Sequence, residues 1–384
     1  MLYRRFVHEN IYTKFFKEGG NMLLKDLLEK LEYKVVNGDD SVEINHLQND
    51  SRKVEKNDVF VCIKGAGFDG HKFVKDVYDK GAVAVVVMED VEPVEGLTII
   101  KVEDTRLALA YMSAAYFGNP AEKIITVGIT GTKGKTTTTY MVRQVLESVG
   151  IKTGLIGTIE TIIGDKVIPA KNTTPESYVV QETFAEMVKE GCKCVVMEVS
   201  SQGLMLHRVS GFTFDYGIFT NIEPDHIGPN EHKDFDDYLR CKSMLLKQCK
   251  HGIVNMDADF IDQVLEGHTC DLETFGVNGD YDFKASDINL FTKPGCLCVS
   301  YNLSGKMNFP VEIHVPGNFS VYNSLCAIAI CSHFTQDIEA IKQGLLDVRV
   351  KGRVEIVPVS KRFTLMIDYA HNAMSLESLL TSLR

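Results

Sequence analysis

The sequence predicts an α/β protein: a small N-terminal α/β unit, a larger central unit on a mostly parallel sheet with a short antiparallel portion, and the start of a Rossmann-like third unit. Short apolar runs alternate with amphipathic helical patterns through most of the 384 residues, the texture of strand–helix–strand units. That length also exceeds what one core ordinarily serves. A continuous passage from apolar strand to glycine-rich turn to helix, Ile124 to Thr139, opens the central unit.

Residues 1–21 are basic and aromatic without a continuous hydrophobic segment, so they read as an extension outside the fold, a start-site artefact rather than a secretory signal. Met22 then opens an amphipathic run, MLLKDLLEKLEY. Within 22–120, Asp58–Ile63 and Ala82–Met88 read as strands, and Phe73–Lys80 as a helix stopped by Gly81. The punctuation Phe117-Gly-Asn-Pro120 closes this unit. In 121–348, strand-like runs at Ile124–Thr130, Cys194–Val199, Tyr216–Thr220 and Gly252–Asn255 are separated by helical patterns. From Asp282 to Val315 the alternation suits antiparallel strands, and a helix from Val321 to His333 follows. In 349–384, Phe363–Asp368 reads as a buried strand and Ser375–Arg384 as its helix. One strand and one helix cannot bury a core, so this segment is expected to be the incomplete beginning of a third unit.

A net charge of -11 argues against a nucleic-acid partner, because such affinity comes from basic surface. It leaves room for small polyanions held by a few focused cations. No stretch approaches the ~20 apolar residues of a spanning helix, so a cytoplasmic monomer acting on small molecules is expected. The ten cysteines contain no C-x-x-C pair. Cys192/Cys194 and Cys296/Cys298 each put two thiols on one strand face, and read as buried small hydrophobes; four convergent zinc ligands cannot be assembled from the spacing.

Chemistry concentrates at the glycine-rich turn. Backbone N–H groups at a helix N-terminus converge on phosphate oxygens, a lysine neutralises the terminal phosphates, and the next hydroxyl reaches magnesium. Lys135 and Thr136 fit those roles, although the spacing departs from G-x-x-x-x-G-K-[ST]: Ile129 stands where the first glycine is expected and the nearer glycine is Gly131. Glu198 ends the strand CVVMEVSS, where it is either a solvated terminus or a magnesium ligand. His226 follows the next strand, as an ordinary loop histidine or a metal ligand. On a helix from Phe235 to Cys249, Lys242 projects into the stripe Phe235, Leu239, Leu246, Cys249, while Arg240 and Lys247 point away. It either snorkels, or is carbamylated and so becomes an anionic ligand for a second magnesium.

The chain resembles the Mur ligases, and among them the branch that adds the third amino acid to the muramyl peptide. The likeness runs from Met22 to the end. It rests on GTKGKTTTT at Gly131–Thr139, NTTPES at Asn172–Ser177, EVSSQGLMLHRV at Glu198–Val209, TNIEPDH at Thr220–His226, YLRCKSML at Tyr238–Leu245, KGRVE at Lys351–Glu355 and IDYAHN at Ile367–Asn372. The stretch DSRKVEKNDVFVCIKGAGFDGHKF resembles that family's UDP-sugar domain. The resemblance implies ATP on Gly131, Thr132, Lys133, Gly134, Lys135, Thr136 and Thr137, with Asn323, Arg353, Asp368 and His371 also touching the nucleotide. It implies two magnesium ions, one on Thr136 and Glu198 and one framed by His226 and carbamylated Lys242. Ser51 and Arg52 would seat the UDP group, and Asn172, Thr173, Thr174, Ser201 and Arg208 the muramyl peptide. Two positions depart from the family: Gln202 stands where many relatives carry histidine, and Ser320 where an asparagine is frequent.

The implied reaction phosphorylates the substrate's D-glutamate side chain with ATP. A diamino acid then attacks the acyl phosphate, meso-diaminopimelate ranking ahead of L-lysine, with the choice belonging to the incomplete third unit. The rivals are a folylpolyglutamate synthetase or other Mur-type ligase, and a non-catalytic module that binds nucleotide and UDP-sugar.

Overall fold

The computed structural model describes residues 22–65, 67–229, 231–293, 296–315, 317–357, 359, 363, 365–370, 376–377 and 380. The expected extension at 1–21 and most of the expected helix 375–384 lie outside them. The chain forms two compact units, Met1–Asn119 and Pro120–Arg384.

The first unit is a five-stranded sheet in the spatial order Lys34–Asn37, Thr98–Lys101, Ala84–Val87, Val59–Val61, Leu47–Gln48. Its strands run parallel except Lys34–Asn37, which pairs antiparallel at one edge. The predicted strands and the helix before Gly81 are present at slightly shorter length (Val74–Asp79 for the helix). The amphipathic run from Met22 yields only the helix Leu24–Leu28. A helix that short draws its stability from packing, and the chain beyond it is recruited into the edge strand instead.

The second unit is built on an eleven-stranded sheet. Its parallel centre runs Thr153–Ile156, Cys194–Glu198, Ile125–Thr130, Phe214–Phe219, Cys249–Asn255, Asp271–Gly276, Phe283–Lys293. Antiparallel strands extend both ends: Cys296–Gly305 and Phe309–Ile313 at one, Glu160–Ile163 and Lys166–Pro169 at the other. Side chains alternate between two cores, as a sheet covered on both faces requires. Cys194 and Val196 join Val127 and Ile129 under the helices Lys135–Ser148, Asn318–Cys331 and Ile338–Asp347. Val195 and Met197 face the opposite core with Phe184, Tyr238 and Leu245.

Three expectations need correction. The helix carrying Lys242 ends at Lys247, and Cys249 opens the next strand, so Cys249 is not part of a helical stripe. Its buried face is centred on Tyr238, Cys241, Lys242 and Leu245. The helix expected from Val321 begins a turn earlier, at Asn318, behind Gly317 with φ 91°. The strand Leu365–Ile367 pairs only with Glu355–Val357, and Leu365 and Ile367 are exposed rather than buried, because this two-stranded ribbon has no second layer among the described residues.

Gly344 lets the helix Ile338–Asp347 close on the helix that follows the glycine-rich turn; a Cβ there would lie 2.8 Å from Val145 Cα. Gly344→Leu is expected to cost about 1–3 kcal/mol by overpacking, read as a lower denaturant midpoint.

Candidate functional site

The turn after Ile125–Thr130 needs two glycines. Gly131 has φ 149° and Gly134 φ 86°, both in the region where L side chains are strained. A methyl group at Gly131 would collide with Thr220 Oγ1, and one at Gly134 with Asn323 Oδ1. These conformations account for the unusual glycine spacing. They bring the helix N-terminus at Lys135 to the end of the sheet with its first backbone N–H groups free of intrahelical partners.

The loop is anchored by the chain leaving the neighbouring strand. Thr132 N donates to Asn221 O at 3.0 Å, and Lys133 N to Asn221 Oδ1 at 2.9 Å. Asn221 Nδ2 and Thr220 Oγ1 both donate to Lys133 O, at 3.1 and 2.8 Å. Lys133 pairs with Glu223 at 2.7 Å, and Thr132 Oγ1 lies 2.9 Å from the Tyr238 hydroxyl. Asn221, Glu223 and Tyr238 therefore shape the loop. They carried no role in the sequence reading, although the first two stand inside the quoted motif TNIEPDH and Tyr238 opens the quoted motif YLRCKSML.

Glu198 is fully buried at the carboxyl end of its strand. Its carboxylate accepts from Thr136 Oγ1 at 3.0 Å, Thr158 Oγ1 at 3.0 Å and Thr158 N at 2.8 Å. Thr158 follows a strand with no sequence signature of function and was legible only in three dimensions. Lys135 Nζ folds back to donate to Gly131 O at 2.7 Å and Thr132 O at 3.0 Å. Burial pushes its pKa down, opposed by Glu198. Lys242, 1% exposed, donates to the same Gly131 O at 2.8 Å and sits 4.6 Å over the Tyr238 ring. Burial and then the neighbouring Lys135 hold its amine well below the usual lysine range.

These groups surround a cavity of about 800 Å³ whose walls all belong to the second unit. It is lined by Thr132 to Thr137, Glu198 and His226, by Asn323, Arg353 and Asp368, and by Asn172, Thr173, Thr174, Ser201 and Arg208. Gly131 and Lys242 lie beside the loop but are not walls of the cavity. Asn323 is buried with no partner for Nδ2, and Arg353 stacks 5.2 Å from the Tyr369 ring. Asp368 is fixed by the amides of Val354 and Ala370 at 2.8 and 2.7 Å. Arg208 pairs with Glu176 at 2.7 Å and donates to Thr174 O at 3.1 Å. Thr174 Oγ1 in turn donates to Glu198 O at 2.9 Å. His226, at φ 54°, binds Glu231 Oε1 at 3.0 Å and is half exposed. His371 falls outside the described residues.

One further residue emerges only from the fold. His232 is fully buried between Ser201 Oγ at 2.9 Å and Asp237 Oδ2 at 3.0 Å, so it connects a wall of the cavity to the first turn of the Lys242 helix. In the first unit, Ser51 is buried, and its carbonyl accepts from Lys80 at 2.6 Å. Arg52 is exposed and pairs with Asp50 at 2.8 Å, which pulls the Asp50 carboxyl down to about 2.

Two family models match: Mur ligase middle domain over 129–331, and Mur ligase family, catalytic domain over 43–117. The UDP-N-acetylmuramoyl-L-alanyl-D-glutamate–2,6-diaminopimelate ligase of Clostridium perfringens is 42% identical over 370 residues, 94% of this chain and 75% of that protein. The chain belongs to the Mur ligase family. The members of that family are ATP-dependent ligases, and the motif resemblance is borne out. A solved structure of a ligase with that same name superposes with a TM-score of 0.81 at 20% identity, covering 95% of this chain and 74% of the other. Folylpolyglutamate synthase of Mycobacterium tuberculosis, solved with ADP and AMPPCP, shares the fold at a TM-score of 0.57 and 17% identity, over 73% of this chain and 70% of its own. The muramyl-ligase reading is thus favoured over the folate rival. No helix among the described residues is long and apolar enough to cross a membrane.

Gly134→Ala would strain φ 86° and press on Asn323. It is expected to lower ATP affinity about tenfold or more and stability by about 1–3 kcal/mol, measured by titration calorimetry and melting.

Proposed function

We propose that this chain joins a diamino acid, meso-diaminopimelate rather than L-lysine, to UDP-N-acetylmuramoyl-L-alanyl-D-glutamate with ATP, in peptidoglycan precursor synthesis. One observation carries the reading: a single cavity holds a glycine-turned phosphate loop, a fully buried carboxylate and a separate polar wall from Asn172 to Thr174, Ser201 and Arg208. Nucleotide and acceptor carboxylate can meet there. Ten unpaired cysteines suit a reducing cytoplasm, and a monomer suffices because one chain supplies every wall.

In the proposed division of labour, 22–120 binds the UDP group with Ser51 and Arg52, 121–348 binds ATP, and 349–384 belongs to the part that selects the amino acid. Gly131 to Thr137 cradle the phosphates, Asn323, whose Nδ2 awaits an acceptor, contacts the base, and Arg353, Asp368 and His371 contact the nucleotide. The donors Thr136 Oγ1 and Glu198 are hard oxygens in contact at 3.0 Å, which suits magnesium. His226 and Lys242 would hold a second ion only if Lys242 carries a carboxyl group, since an amine beside Lys135 repels cations. Carbon dioxide reacts with neutral amines, and burial beside Lys135 favours that form of Lys242. When bound, the two ions would neutralise charge gathering on the donor and acceptor oxygens.

The residues themselves do most by position. Lys135 neutralises the γ-phosphoryl as its bond to the β-phosphate oxygen breaks and a bond to the D-glutamate carboxylate forms, releasing ADP. Arg208 and Ser201 orient that carboxylate. The incoming amine then adds to the acyl carbon, loses a proton, and phosphate leaves. His232 fixes the Ser201 hydroxyl.

Phosphate release should require ATP, UDP-muramyl-dipeptide and diaminopimelate together; release independent of the dipeptide would remove this function. Lys242→Ala should lose most of that activity, partly restored by a short carboxylic acid. His232→Ala should raise the KM for the dipeptide about tenfold while leaving that for ATP near the parent value.

A further inference from the structure

The antiparallel end of the large sheet, Phe283–Lys293, Cys296–Gly305 and Phe309–Ile313, contributes no wall to the cavity. It carries instead a cluster that its sequence spacing concealed. Residues two apart on a strand share a face, and Cys296 and Cys298 have Sγ atoms 3.5 Å apart. Val299 pairs with Ile313 and Ser300 with Glu312. That register sets His314 opposite Cys298, and Glu312 on the same face. One ligand atom from each of Cys296, Cys298 and His314 lies within 4.8 Å of the others. Glu312 stands behind that set: its Oε1 lies 2.8 Å from His314 Nε2, where it orients the imidazole, and accepts from Lys293 at 2.5 Å.

We propose that Cys296, Cys298 and His314 bind a zinc-like divalent cation, with water as the fourth ligand. Tetrahedral zinc with Zn–S near ~2.3 Å separates two thiolates by roughly 3.8 Å, close to the spacing found here. Neighbours two apart on a strand have Cα atoms about 6.6 Å apart, at the far limit of disulfide geometry. The pair is therefore better disposed to share an ion than to oxidise. Two thiolates and an imidazole select borderline-soft metals over magnesium. Lys293, paired with Glu312 beside the cluster, already brings positive charge to this face. Cys298 is buried and Cys296 and His314 half-buried, so the site is sheltered yet reachable. Binding would staple the strand Cys296–Gly305 to the end of Phe309–Ile313. Val315, the residue after His314, is a wall of the nucleotide cavity, so the staple would also steady the segment that leads into the helix bearing Asn323.

The test uses the whole chain, reduced and stripped with chelator, then titrated with cobalt(II) and zinc(II). Expected are thiolate-to-cobalt charge-transfer bands with intense visible bands of tetrahedral type, displaced by zinc, at one ion per chain. Cys296→Ser with Cys298→Ser should abolish the charge-transfer bands, and His314→Ala should weaken affinity about tenfold or more. Circular dichroism checks that each variant folds. Absence of thiolate bands in the folded parent chain, or bands that persist unchanged in the double variant, would overturn the site. So would loss of the thiols to a disulfide without metal uptake.

Discussion

The register of three parallel strands holds the site together. Ile129 pairs with Glu198, and Thr130 with Phe219, so the phosphate-loop strand and both its neighbours end at one level. Three polar parts of the cavity are hung from those ends: the loop from the first strand, Glu198 on the second, and the Thr220–Glu223 segment leaving the third. Carboxyl ends of parallel strands are where such sheets leave room for ligands. A slip of one residue would turn Glu198 to the other face of the sheet and take it away from Thr136.

The consequence is a local surplus of positive charge. Lys135 and Lys242 both donate to the carbonyl of Gly131, and burial lowers both amines. Neither is in ion-pair contact with a carboxylate among the described residues, while Glu198 spends its lone pairs on threonine hydroxyls and an amide. A buried amine without a counter-charge is costly, so such an arrangement is complementary to an anion that arrives later. In the proposed complex the terminal phosphates would satisfy Lys135. A carboxyl group gained by Lys242 would reverse its sign and remove the mutual repulsion.

Much of this was legible along the chain because it is local. A strand that runs into glycines and a Lys-Thr pair writes its own loop, and the helix period alone put Lys242 on a buried face. What stayed hidden was long-range. Thr158 and Glu198 are brought together by strand pairing across forty residues of sequence. His232 reaches Ser201 through a loop whose sequence has no period to read. Cys249 was misplaced because an apolar residue just beyond a helix continues the 3.6-residue pattern by chance, and only the pairing of Phe214–Phe219 with Cys249–Asn255 assigns it to a strand.

The sequence by itself determined the fold class, the glycine-rich loop, the family and under half of the cavity walls, since periodicity, glycine conformation and ordered motifs are properties of short segments. Only the tertiary structure decided which donors face which acceptors: the threonine pair around Glu198, the shared carbonyl between two lysines, the histidine behind Ser201 and the thiol–imidazole face on the antiparallel strands. Those depend on sheet order and register, which arise from burial of both faces of the sheet at once and are written in no single stretch of chain.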